Sequence, residues 1–93
     1  MRYELIARYD ARQSFYKKAF VIETQENNKT IKELKSYNTI VAKITIEENK
    51  KIFEHFGTYS QTTTRHQKEF YKQEGLNDAE IKTLLKNNIL EVK

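Results

Sequence analysis

The sequence predicts an α+β domain, an antiparallel sheet of four or five strands followed by two C-terminal helices packed on one face of it. Three observations carry this. Alternating apolar and polar residues with β-branched and aromatic runs fill the chain up to Tyr59, the hydrophobic period changes beyond it, and Asn77 with Glu80 forms a capping box ahead of Ile81, Leu84 and Leu85. Strands first and helices second is the order of the α+β class. With 93 residues, and with no repeat, linker or low-complexity tract, residues 1–93 form a single domain. A domain of this size buries roughly 60 to 65% of its unfolded surface, which leaves little room for a deep catalytic cleft.

The first strand is predicted over residues 3 to 9, where Tyr3, Leu5, Ala7 and Tyr9 alternate with Glu4, Ile6 and Arg8. Asp10 to Gln13 turns the chain. A second strand follows from Phe15 to Thr24, with a hairpin turn at Glu26 to Lys29 in which Asn tolerates positive φ. The third strand includes Ile31 to Leu34. The fourth runs from Tyr37 to Ile46, with Ile40, Ala42, Ile44 and Ile46 on one side and Tyr37, Thr39, Val41, Lys43 and Thr45 on the other. After a turn at Glu47 to Lys50, the fifth strand covers Ile52 to Tyr59, with Gly57 near its end. Ser60 or Thr62 then caps a helix that runs to about Glu74, where Gly75 supplies a left-handed stop. His66, Phe70 and Tyr71 are expected to face the sheet. The second helix starts at the Asn77 cap, with Leu76 stapled against Ile81, and ends near Asn87–Asn88. Ile89, Leu90 and Val92 form either a short terminal strand or an extended tail.

Composition narrows the class. The net charge is +4, charged residues make up 32% and hydrophobic residues 38% of the chain, and there is no Cys. Disulfides and thiolate metal sites are therefore excluded, and a reducing compartment is compatible. No apolar run approaches a membrane span and no signal segment opens the chain, so a cytoplasmic protein without a membrane partner is expected. The positive charge is uneven. Arg2, Arg8, Arg12, Lys17 and Lys18 outnumber Glu4 and Asp10, and Arg65, Lys68 and Lys72 outnumber Glu69. If the fold joins the two segments, they form one positive face suited to phosphate or to an acidic protein surface.

The start of the first helix is the densest polar cluster. Ser60, Thr62, Thr63 and Thr64 lie just ahead of Arg65, His66 and Lys68. One reading has the hydroxyls satisfy helix-end donors, with His66 in the core and Arg65 and Lys68 in solvent. The other has spare N–H groups, hydroxyls and Arg65 hold a phosphate or carboxylate. A second surface is the uncovered sheet face, where Arg8, Tyr37, Val41 and Lys43 would interleave aromatic and cationic groups as in sheet-based RNA and DNA binders, or simply pack across strands. Enzyme signatures are absent: there is no phosphate-cradling Gly-rich loop, no His pair at metal spacing and no Gly-flanked Ser. Tyr59, Arg65, His66 and Asp10 could support phosphodiester cleavage only through long-range proximity. No cofactor or metal is expected.

Tyr9-Asp10-Ala11-Arg12, Ser14 to Ala19, Ser36 to Ala42, and Tyr59-Ser60 through Thr62-Thr63, Arg65-His66 and Glu69-Phe70 together resemble a family of short uncharacterised proteins of phages, plasmids and other mobile elements of Gram-positive bacteria. The resemblance covers residues 3 to 73 and leaves the helix from Asn77 outside it. It implies an α+β fold without established catalysis, and it directs attention to Asp10, Arg12, Tyr37, Asn38, Thr39, Thr62, Thr63, Arg65 and His66. The charge reading adds Arg8, Lys43 and Lys68. Such proteins often block host defence stoichiometrically, so the expected function is a non-enzymatic inhibitor of a host nucleic-acid-processing or defence complex, in the manner of an anti-CRISPR protein acting on an effector nuclease. The partner is then a host protein or ribonucleoprotein, in the host cytoplasm if the chain is phage-encoded. The alternative is direct binding of DNA or RNA through a basic, Tyr-rich surface. The positive charge argues against DNA mimicry. A monomer and a homodimer through a sheet edge are both compatible.

Overall fold

The computed structural model describes residues 1–10, 15, 17–57 and 60–93. Its elements are β1 (Arg2–Glu4), β2 (Ala19–Glu26), β3 (Lys29–Ser36), β4 (Thr39–Glu47), β5 (Lys50–His55), α1 (Gln61–Gln73), α2 (Asp78–Asn87) and β6 (Ile89–Val92). The strands lie side by side in chain order, every neighbouring pair antiparallel. The α+β class stands, with six strands in the sheet where four or five were expected. The additional strand is β6, which the two helices deliver to the free edge of β5, pairing Glu54 with Ile89 and Lys51 with Val92.

The helix signals act as read. Ser60 is the α1 cap and its side chain accepts from the Thr63 N–H. At the other end, Leu76 N–H donates to Tyr71 O and Gly75 N–H to Lys72 O, with Gly75 at φ +103°, a Schellman stop. Both halves of the Asn77–Glu80 box are present, and Leu76 and Ile81 are buried together just behind it. α1 buries Thr63, His66, Gln67, Phe70 and Tyr71, the i, i+3, i+4, i+7, i+8 stripe of a helix lying on a sheet. Beneath it are Val21, Leu34, Ala42, Ile44 and Phe53.

Strand limits shift for physical reasons. β1 stops at Glu4, well short of residue 9, because the N–H groups of Arg8, Tyr9 and Asp10 are taken by the Glu69 carboxylate and not by a strand. β2 begins at Ala19, since Lys17 turns the chain at φ +60° and Lys18 N–H donates to Phe15 O. β3 is longer than expected because tight turns flank it, with Asn27 at φ +54° and Tyr37 at φ +58°. β5 ends at His55, before Gly57 at φ +81°, and residues 58–59 of the predicted strand lie outside the described residues, as do residues 11–13 of the predicted turn.

β4 contains the largest departure from expectation. Leu34 pairs with Ala42 but Lys35 pairs with Ile40, so Val41 is an extra residue, a β-bulge. Val41 and Ala42 are consequently both buried, and Ile40 moves to the face that the helices leave open. The open face carries half-buried Phe20, Ile22, Ile31, Ile40 and Ile52 among Arg2, Glu33, Lys35, Lys43 and Glu54. Along one row Glu33 is paired with Lys43 and Lys43 with Glu54, so the charges alternate. Of the residues expected to make this face a stacking platform only Lys43 lies on it. Val41 is in the core, Tyr37 is in a turn on the helix side and Arg8 is in the loop after β1. Among the described residues no tyrosine lies there, and Arg2 covers the Phe20 ring at 4.5 Å.

Candidate functional site

The segment that follows β1 lies along α1. Glu69 is 2% exposed, and its two carboxylate oxygens accept from the N–H groups of Arg8 (3.0 Å), Tyr9 (2.9 Å) and Asp10 (2.9 Å). One turn earlier on the helix, Arg65 grips Asp10 with both arms of its guanidinium, Nε at 3.1 Å and Nη2 at 2.8 Å. One turn later, Gln73 donates to Ile6 O at 2.6 Å. Residues 6–10 are thus pinned along α1 by three successive helical side chains. Arg12 lies outside the described residues.

The β3–β4 turn is bound to the same helix from the other side. Ser36 Oγ lies 2.8 Å from His66 Nδ1 and 3.1 Å from Thr63 Oγ1, and all three side chains are buried. The His66 ring packs edge-on against Phe15 at 4.6 Å and under Tyr37 at 6.0 Å. Tyr37 N–H donates to Lys18 O at 2.7 Å, and the Lys18 ammonium stands 5.9 Å from the Tyr37 ring. Tyr37 itself is 49% exposed. Asn38, Thr39, Thr62, Lys17 and Lys18 are exposed around it, and the first turn of α1 contains no acidic residue.

One end of the molecule therefore gathers Asp10, Tyr37, Asn38, Thr39, Thr62, Thr63, Arg65 and His66, eight of the residues singled out from the sequence. Their roles follow the first of the two readings, hydroxyls bonded locally and His66 in the core, except that Arg65 is paired with Asp10. Thr63 and His66 are enclosed and support the turn from below, so they do not form part of a contact surface. The hydroxyls that looked surplus have partners: Ser60 caps the helix, Thr63 meets Ser36, and Thr64 Oγ1 donates to Ser60 O at 3.0 Å. Thr62 alone of the four has none among the described residues. Arg65 is already satisfied by Asp10, so the anion cradle loses its principal cation. Lys68 lies a turn further along α1, exposed, while Arg8 is beside Glu69 and Lys43 is on the opposite face of the sheet. Of the residues considered for cleavage, Asp10 is engaged by Arg65 and His66 is sealed from solvent, while Tyr59 lies outside the described residues. Among those residues, no group of His, Asp or Glu is placed to hold a metal ion.

Sequence reasoning missed Ser36 and Glu69 as positioning residues. Position 69 sits between buried Gln67 and Phe70 on the helical stripe, so a carboxylate there must find donors. Nothing local shows that the donors lie some sixty residues upstream.

Burial holds both histidines below their ordinary value of 6.5; at His66 the nearby Asp10 opposes this in part and Arg65 adds to it. His55 Nδ1 lies 2.9 Å from the Tyr71 hydroxyl, and the Nε2 atoms of both rings are enclosed without partners among the described residues. The unfolded chain binds these protons more readily, so their contribution to stability is complete above about pH 6.5 and is lost as pH falls through the lower folded values. Urea midpoints are expected to be level between about pH 7 and 8 and to decline below about pH 6.5. The decline should be shallower in the His55→Gln/His66→Gln double variant. An unchanged slope would show that the histidines are not its source.

A family of unknown function (DUF8033) matches residues 3–86, and the chain belongs to it. The match runs past Asn77, where the resemblance had stopped short, and takes in most of α2, so that helix belongs to the shared domain. Neither the curated proteins nor the solved structures yield a match. No helix among the described residues is long and apolar enough to cross a membrane.

Proposed function

We propose that this protein is a non-enzymatic interaction module, of the kind carried by phages and other mobile elements, that binds and inhibits a host nucleic-acid-processing or defence complex such as a CRISPR effector nuclease. The observation that supports it is the presentation of Tyr37. A half-exposed aromatic ring is held at φ +58°, where a bulky residue carries backbone strain, by a buried Ser36–His66–Thr63 cluster beneath it. Strain of this kind persists only where the surroundings fix it, and rigid exposed tyrosines flanked by cations are typical interface anchors. Lys18 supplies one such cation 5.9 Å from the ring, and Lys17, exposed, precedes it in the chain.

The test is co-elution of the protein with reconstituted effector complexes, coupled to a target-cleavage assay. Tyr37→Ala and the Lys17→Glu/Lys18→Glu pair are each expected to weaken binding at least about tenfold, the size of a moderate interface hot spot. Tyr37→Asn relieves the φ strain, so it should lose binding while keeping or gaining up to about 1 kcal/mol of stability. A complex that forms equally well with all three variants would overturn the reading. Binding of naked single- or double-stranded probes that is abolished by the same changes, without any protein complex, would select direct nucleic-acid binding in its place.

A further inference from the structure

We propose that the cleft between α1 and α2 is a docking site for an acidic segment of a partner protein, seated by a bulky apolar side chain. The cleft holds about 390 Å³ and is lined by Lys68, Lys72, Asp78, Ile81, Lys82 and Leu85. Its floor is aliphatic, with Ile81 buried and Leu85 half-buried. Its walls are cationic, and Lys68 and Lys82 have no ion-pair partner among the described residues. Lys72 reaches Asp78 at 3.5 Å, but the Asp78 side chain is 90% exposed, so this weak surface pair yields to a partner carboxylate with Asp78 remaining hydrated. Across the ridge made by Lys68 and Lys72 lies a smaller hollow of about 90 Å³. Its two carboxylates are already committed, Asp10 to Arg65 and Glu69 to the backbone of residues 8–10. The ridge therefore presents positive charge to both flanks.

Lysine walls over an aliphatic floor call for carboxylates and an apolar group on one short segment, the pattern of an acidic amphipathic peptide in a groove. A nucleic-acid backbone offers the floor nothing, and a base would need an aromatic surface on which to stack. The cleft and the Tyr37 turn share no residue, so this second surface does not depend on the first.

The experiment uses the full ¹⁵N-labelled chain titrated with a short synthetic peptide of Glu and Asp around a pair of Leu one helical turn apart, and in parallel with oligo-dT. The peptide is expected to shift the amides of Lys68, Lys72, Ile81, Lys82 and Leu85. Lys68→Glu/Lys82→Glu should weaken it about tenfold, and Lys68→Gln/Lys82→Gln by less, with the thermal midpoint unchanged because both side chains are exposed. Tyr37→Ala should retain peptide affinity, which separates this site from the turn. Peptide-induced shifts confined elsewhere, charge reversal without effect, or the same amides answering to oligo-dT and not to the peptide would each overturn the proposal.

Discussion

Glu69→Ala is expected to lower the free energy of unfolding by about 3 kcal/mol. The Glu69 carboxylate takes three consecutive backbone N–H groups at 2.9 to 3.0 Å, and none of them has a strand partner to return to. Charge-assisted bonds of this length are roughly twice as strong as neutral ones, and each buried donor left unpaired costs about 1 to 3 kcal/mol. The full sum is not reached because residues 8–10 can lift into water. For a domain of this size the loss corresponds to a fall in melting temperature of roughly 12 to 24 °C. Glu69→Gln keeps one acceptor and should lose about half as much. Amide exchange provides the site-specific check, since the Arg8, Tyr9 and Asp10 protons should lose protection in Glu69→Ala before those of β3 and β4. A change under about 1 kcal/mol with protection intact would mean that the loop is held by something else.

His66→Ala is expected to cost about 3 kcal/mol as well, by a different route, the usual consequence of truncating a fully buried ring. The ring is 0% exposed, fills the space against Phe15 and bonds Ser36. Its removal leaves a cavity below the β3–β4 turn and deprives Ser36 of one buried partner. The additional readout is local. The Tyr37 amide should exchange faster, and partner binding should fall even though no contacting residue has been altered. His66→Gln at neutral pH should retain part of the Ser36 contact and recover some of both. Should His66→Ala leave Tyr37 as protected as in the parent, the view of His66 as the buttress of the turn would be lost.

Much of the fold was legible because it is encoded locally. Ser60, Gly75, Asn77 with Glu80, and Leu76 with Ile81 each act within a few residues of themselves, and each is found in its expected place. The alternation of β4 was legible too, up to the point where it fails. One extra residue in a ladder leaves no mark on composition, and Val41 looks the same whether it faces solvent or core. The ends of β1 and β2 were misplaced because their limits are set by Glu69 and by the turn at Lys17, both remote or conformational causes. The candidate site followed the same division. Asp10 meets Arg65 and Tyr37 stands over His66 across separations that no local pattern encodes, whereas the burial of His66 beside Phe70 and Tyr71 follows from the helical period and was expected. The six tyrosines suggested a stacking surface, but Tyr3, Tyr9, Tyr37 and Tyr71 are dispersed to an edge, a loop, a turn and the core.

The single surplus residue in β4 has a wider consequence. Between the bulge and the tip of the hairpin the strand runs half a pleat out of phase with its remainder, and that offset turns Ile40 to the open face and brings Thr39 opposite Ser36 on the helix side. The spacing from Ala42 to Tyr37 is therefore fixed by the fold. Shortening it by one would rotate the whole tip outward, like a key cut one notch off, with every individual residue still present.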